Sequence, residues 1–331
     1  MIAACAARVR AAAAGNALTA LLLLSTVPAL ALSAHGAKAA RTAAAPTAPL
    51  ARSVAGAPSE APAPGKAGAP TESGTPGAPG KAGTPAPGAP VPRYRIVGCR
   101  SRCSVAYSGG PHEREVALSF DDGPAADTPA FVGMLERARA RATFFMIGEQ
   151  VNSSYRSVLL RELRDGDVLG DHTYTHPDLT RSGEVREQLQ RTLGVIRAVS
   201  GYTPCVFRPP YGDVDSSVVQ TARSLGLATV LWNVDPTDYA QPGTGAIVQR
   251  VLAQVQPGSI ILSHDGGGPR GQTLAAYPEI IRALRARGYR FVTIPELLGF
   301  RPVYRPCVKL CAGIGVPRSK LGRRAIIERA P

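Results

Sequence analysis

Asp121 and Asp122 stand side by side in VALSFDDGP (116–124), where an apolar run meets a turn. Two imidazoles sit four residues apart in HTYTH, at His172 and His176. Both can face one ion from a helical turn or a curved loop, and Pro177 directly after them favours the loop. With a carboxylate added, this is a two-His, one-carboxylate face with open positions. It suits Zn, Co, Ni or Fe(II). A spare carboxylate beside such a metal is a candidate general base, because the pKa of a bound water is drawn down toward about 7. His264 is a candidate general acid for a departing group, and Arg208 can keep a carboxylate ionised by pairing with it. Together these types read as metal-assisted hydrolysis with a separate base and acid. Any one of them alone would pass for a salt bridge at the rim of a fold.

Seven strand-like runs have to position these residues. They are 115–120, 142–147, 167–171, 205–208, 228–234, 259–264 and 290–294. Six are followed by helical spacing and the last by a helical turn. The clearest helix is 182–201, with Val185, Leu189, Leu193, Ile196 and Val199 as its stripe. Strand–helix alternation argues for a parallel sheet with crossover helices. Seven units in about 185 residues suit a closed or nearly closed barrel better than an open sheet, although pattern alone leaves both open. On this frame Asp121 and Asp122 follow the first strand, and His172 and His176 the third. Arg208 and Tyr211 follow the fourth, Trp232 and Asp235 end the fifth, and His264 and Asp265 end the sixth. All lie at C-terminal strand ends, where parallel barrels build active sites. The chain has five histidines, and three are in this set.

The rest of the chain is of another kind. Residues 1–93 contain no Phe, Trp or Tyr, so the folding unit should begin near residue 94. The start, with Arg8 and Arg10 before the apolar run 17–32, reads as an export signal over 1–34 or an uncleaved anchor. Residues 35–93 read as a disordered linker, because 42–93 hold 12 of the 30 prolines and cannot bury enough apolar surface to order. Cys99 and Cys103 open the folded region in a 94–114 extension, and Cys307 and Cys311 close it in a 299–331 extension. Two disulfides between the ends are expected, with a four-cysteine metal site as the alternative. Cys205, in TPCVFRPP, reads as a quiet core thiol. The formal net charge is +14, visible on helix faces such as 136–141 and 281–290 and in the tail 318–324. Solvated surface or attraction to anionic wall polymers or lipids would account for it. No nucleic-acid motif is present.

Five motifs, in order, resemble the polysaccharide deacetylase family (carbohydrate esterase family 4, the NodB-homology domain). SFDDGP (119–124) is similar to T-F-D-D-G-P and HTYTH to H-[ST]-x-x-H. RPPYG (208–212) matches R-x-P-Y, DPTDY (235–239) resembles D-x-x-D-W, and LSH (262–264) matches L-x-H. The resemblance spans 115–298. It implies a distorted (β/α)7–8 barrel that removes acetyl from N-acetyl sugars, or sometimes O-acetyl from xylan. Carried over by position, Asp121 is the base, and Asp122, His172 and His176 hold one divalent metal, commonly zinc. Arg208 orients Asp121. Tyr211 offers its backbone N–H to the oxyanion. His264 protonates the leaving amine, tuned by Asp235. Trp232 and Leu262 shape the pocket for the methyl group. Ser119 and Tyr239 depart from the family pattern at Thr and Trp.

The expectation is therefore a monomeric metal-dependent N-deacetylase acting on peptidoglycan or a chitin-like glycan. It would be extracellular or wall-associated, or else membrane-anchored facing outward. An O-acetyl esterase on xylan and a non-catalytic glycan-binding module are the alternatives. The second is opposed by an intact set of ligands and base.

Overall fold

The computed structural model describes residues 93–102, 105–110, 113–307, 315–322 and 324–329. The expected export signal and linker lie outside the described residues, as do Cys103 and Cys311. No helix among the described residues is long and apolar enough to cross a membrane.

The chain runs through β1 (Arg93–Arg100), β2 (Val105–Ala106), β3 (Glu115–Gly123), α1 (Thr128–Ala138), β4 (Ala142–Met146), α2 (Arg156–Asp165) and β5 (Val168–Asp171). It continues with α3 (Leu179–Ser182), α4 (Val185–Ser200), β6 (Val206–Phe207), α5 (Ser216–Ser224), β7 (Ala228–Val230), α6 (Thr244–Gln254) and β8 (Ile260–Ile261). It ends with α7 (Gly271–Ala286), β9 (Arg290–Phe291), α8 (Ile294–Leu297), β10 (Arg301–Pro306), β11 (Val316–Pro317) and β12 (Ile326–Ile327).

The seven expected strands are β3 to β9. They form a parallel sheet in the order β7-β6-β5-β4-β3-β8, with β9 also paired to β3. Val234, just past β7, bridges Ile261 of β8 in parallel and so brings the two ends of that row together. The architecture is an α/β fold consistent with a distorted barrel. Most strands are shorter than their apolar runs. Only Ala228–Val230 of the 228–234 run is strand, because Leu231 N–H turns to Ala106 of β2 and Val234 is needed by β8. β2, parallel to β7, was not expected from the sequence.

β3 and β4 are buried along nearly their whole length, as a strand covered on both faces must be. Phe120 packs against Phe131 of α1, Phe144 of β4 and Tyr277 of α7, with ring centroids 5.1, 5.3 and 4.8 Å apart. Each such ring contributes about 1.5–3 kcal/mol by leaving water. α4 buries Val185, Leu189 and Ile196 from its expected stripe and stops at Gly201, whose φ of 74° suits a residue without Cβ.

Two short segments build a second sheet, in the order β11-β1-β10-β12. β1 and β10 run antiparallel from Tyr94↔Pro306 to Arg100↔Arg301, so the two ends of the folded region are joined by a backbone ladder. The cysteine expectation needs correction. Cys99 is bonded to Cys205, so Cys205 is not a free core thiol. A shift of register between Ile96 and Gly98, with Gly98 bridging Thr203, carries Cys99 to the start of β6, where the two Cα atoms are 5.3 Å apart. Cys307 is also disulfide-bonded. Cysteines 99 and 307 being oxidised removes the four-cysteine metal site.

Candidate active site

Asp121 and Asp122 would point to opposite faces of a regular strand. The ladder between β3 and β4 slips there: Asp121 faces Phe145, Gly123 faces Met146, and Asp122 is the extra residue, with φ of 70°. Such a bulge re-aims one side chain. Both carboxylates consequently reach His172, whose Nε2 lies 3.8 Å from Asp121 Oδ2 and 3.5 Å from Asp122 Oδ1. The backbone of Asp122 can turn so tightly only because glycines face it. A Cβ on Gly266 would lie 1.9 Å from the Asp122 carbonyl oxygen, and one on Gly267 2.3 Å from its Oδ2.

His176 Nε2 is 3.4 Å from the same Asp122 Oδ1. The three candidate ligand atoms lie within 4.8 Å of one another. Asp122 Oδ1 is buried and has no hydrogen-bond partner, which is costly unless a cation completes it. His172 Nδ1–H donates to the Arg208 carbonyl at 2.7 Å, so its Nε2 is left as a bare lone pair aimed at the group. Burial alone would raise the Asp122 pKa, but His172, with His264 and His176, holds it well below the usual carboxylate range. Burial and the neighbouring His172 charge push His176 below its ordinary value. A carboxylate held ionised, a His176 pushed away from protonation and a His172 Nε2 aimed at the group are what a divalent cation requires, so these residues fit one.

Arg208 is wholly buried. Its Nη1 donates to Asp121 Oδ1 at 2.7 Å and Ser119 Oγ at 2.9 Å, and its Nε and Nη2 donate to the Val230 and Leu231 carbonyls. Its guanidinium lies over Phe145, 4.2 Å from the ring centroid, and 5.6 Å from that of Trp232. A buried cation this well satisfied fixes Asp121 in place.

His264, three residues past β8, lies opposite, its backbone in a parallel bridge with Asp121 of β3. Its Nδ1 donates to Asp238 Oδ1 at 2.7 Å, and Asp238 Oδ2 accepts from the His264 backbone N–H and the Thr273 hydroxyl, both at 2.9 Å. Asp238, not Asp235, is therefore the carboxylate that tunes this histidine. Asp235 is occupied by the Thr237 backbone N–H at 2.6 Å. Burial depresses His264, but Asp238, joined by Asp121 and Asp122, outweighs it and raises its pKa.

Tyr211 has φ of 61°, and its ring is 66% exposed and packs on His176 at 4.8 Å. Tyr239, 54% exposed, faces His264 at 5.8 Å. Leu262 is buried, and the Trp232 ring would meet a Cβ on Gly212 at 2.9 Å. Positive φ outside glycine occurs at seven described residues, and six lie in these loops: Asp122, Thr173, His176, Tyr211, Thr237 and Gln241. Strain of this kind collects where geometry serves function.

Asp265 was seen as a strand-end residue without a role. It is buried beneath Gly123 and accepts from the Thr128 hydroxyl at 2.5 Å, and burial pushes its pKa up to about 7. Its signal was the run HDGGGP: a carboxylate next to three glycines marks a loop packed tightly against another backbone.

A polysaccharide deacetylase family model matches residues 108–230. The chain is 39% identical over 203 residues to a peptidoglycan-N-acetylglucosamine deacetylase of Bacillus cereus, covering 60% of this chain and 94% of that one. The chain belongs to the polysaccharide deacetylase family. It is also 38% identical over 199 residues to a chitooligosaccharide deacetylase of Bradyrhizobium, covering 56% and 90% of the two chains. A crystal structure of a peptidoglycan N-acetylglucosamine deacetylase superimposes with a TM-score of 0.56 at 35% identity, over 59% of this chain and 92% of that one.

Proposed function

We propose that this deacetylase hydrolyses the N-acetyl amide of a β-1,4-linked glycan, with peptidoglycan as the substrate, releasing acetate and leaving a free amine. The observation that carries the reading is the division of labour between two adjacent carboxylates. Asp122 faces two imidazoles with an unsatisfied oxygen, while Asp121 is clamped by a buried arginine. A divalent cation held by Asp122, His172 and His176, zinc in our reading, would polarise the acetyl carbonyl and lower the pKa of the attacking water.

The protein's own groups do the rest. Asp121 takes the proton of the attacking water, and its buried Arg208 partner holds it aimed. The Tyr211 backbone N–H stabilises the oxyanion. His264 keeps its proton through Asp238 and delivers it to the departing nitrogen. Trp232 and Leu262 hold the methyl group. The setting is outside the cytoplasm, in or near the cell wall, which is supported by the apolar run 17–32 and the proline-rich stretch that follows it.

Acetate release from peptidoglycan, N-acetylglucosamine oligomers and acetylxylan tests this, with chelator and with zinc restored. Peptidoglycan should give the fastest release, abolished by chelator and recovered by zinc. Preference for acetylxylan would replace the reading with an O-acetyl esterase. A metal-loaded protein releasing no acetate from any glycan would leave a binding module.

A further inference from the structure

The charge of the chain is divided unevenly. Residues 108–298, which hold the whole catalytic cleft, carry 19 Lys and Arg against 21 Asp and Glu. The flanking segments 93–107 and 299–331, which supply the second sheet, carry 12 against one. The helix faces that look basic are balanced locally, as in the Arg161–Glu136 and Arg191–Glu187 pairs. Residues 1–92 carry seven against two, so the larger share of the excess belongs to the segments that supply the small sheet, five of whose arginines stand in β1 and β10.

Its arrangement there is unfavourable for the protein alone. β1 and β10 set Arg95 opposite Arg305 and Arg100 opposite Arg301. Like charges directly across a ladder destabilise it. Arg301, Val303 and Arg305 alternate along β10 and share one face. The register shift in β1 puts Arg95 and Arg100 on that face too. The only acidic residue of the two segments, Glu328, accepts from Arg305 at 3.0 Å and lies 3.6 Å from Arg100. Arg95 and Arg301 have no ion-pair or hydrogen-bond partner among the described residues. A cleft of about 220 Å³ runs along this face, and Arg197 from the last turn of α4 joins Arg100 and Arg305 in lining it.

We propose that this arginine face binds a linear phosphodiester polymer that carries no bases. Ten of the 12 basic residues are Arg, whose planar fork matches oxyanions. Two forks facing each other across a ladder need an acceptor with oxygens diverging to both sides. A tetrahedral phosphate supplies that better than a planar carboxylate. The two arginine pairs stand about 13 Å apart along the strand, which calls for a repeating anion. Among the described residues Ile327 is the one large apolar side chain exposed on this sheet, which favours a charged polymer over a bilayer as the partner. The aromatic rings of the sheet, Tyr94 and Tyr304, instead line a cavity against Arg141 and Gly166 at the N-terminal ends of β4 and β5, so no ring is offered for stacking bases. The face therefore lies at the end of the barrel away from the catalytic residues and can hold a polymer without blocking the cleft.

The test is binding of the full chain to poly(glycerol phosphate) at several salt concentrations, beside single-stranded DNA, polygalacturonate and anionic phospholipid vesicles. The proposal expects poly(glycerol phosphate) to bind most tightly. Arg95→Gln/Arg301→Gln should weaken it about tenfold or more and flatten the salt dependence. Arg223→Gln/Arg282→Gln, which removes equal charge from helix surfaces, should change it less than about twofold. Acetate release from soluble oligomers should be unchanged in both variants, which separates failure of this proposal from failure of the catalytic reading. Equal weakening by the two variants would reduce the effect to bulk charge. Tighter binding to DNA, polygalacturonate or vesicles, or no binding to the polymer, would overturn it.

Discussion

The two ends of this molecule treat charge in opposite ways. At the catalytic end Arg208 is buried and spends its donors on Asp121, Ser119 and two carbonyls, while Asp238 answers His264 with both oxygens. At the other end Arg95 faces Arg305, Arg100 faces Arg301, and one glutamate serves the group. Buried charge must be satisfied internally or the fold loses several kcal/mol. Exposed charge costs little and can wait for an outside partner. The difference teaches where to look for chemistry and where to look for attachment.

The largest effects should come from the satisfied end. Asp121→Asn should lower kcat/KM by about 10³-fold or more while the purified protein still binds one equivalent of metal. His172→Ala should lose both, and metal retained in that variant would break the ligand assignment. A smaller effect separates the two candidate partners of His264. Asp238→Asn should cost about 10–100-fold, the range for outer partners of catalytic groups. It should also move the alkaline limb of the pH profile to lower pH. The sign follows from the role: His264 must carry its proton to donate it, activity falls as pH rises through its raised pKa, and Asp238 is what raises it. Asp235→Asn should change kcat/KM less than about threefold, with no shift of the limb. The smallest effect on turnover should come from Cys99→Ser/Cys205→Ser. Loss of a bond closing a 106-residue separation should remove about 2–5 kcal/mol of unfolding free energy and leave kcat nearly intact.

The catalytic end was more legible in the sequence than the other. Residue types at strand ends located Asp121, Asp122, His172, His176, Arg208 and His264, because parallel alternation dictates that those ends share a face. Asp235 was mistaken for Asp238 because both belong to one short motif. Only the left-handed backbone at Thr237 and Gln241 decides which carboxylate turns inward. Cys205 was correctly read as buried, but its partner depends on how β1 approaches from far along the chain. The second sheet was not read from the sequence, where its segments stood only as cysteine-bearing extensions. RYRI alternates with the period of a strand but is short, and Pro302 and Pro306 disguise β10, an inner strand that β12 pairs only at Val303 and Tyr304, between the two prolines.

The disulfide has a mechanical meaning as well. β1 enters and β10 leaves side by side, with Tyr94 and Pro306 as the outermost pair. That end is held by more than the ladder itself: β11 pairs with Arg93 and Tyr94, β12 with Val303 and Tyr304, and Cys307, next to Pro306, is disulfide-bonded. At the other end of the ladder Cys99 is riveted to Cys205 at the start of β6. A pull on either terminus would therefore be shared between this ladder and its covalent ties before it reached the catalytic loops.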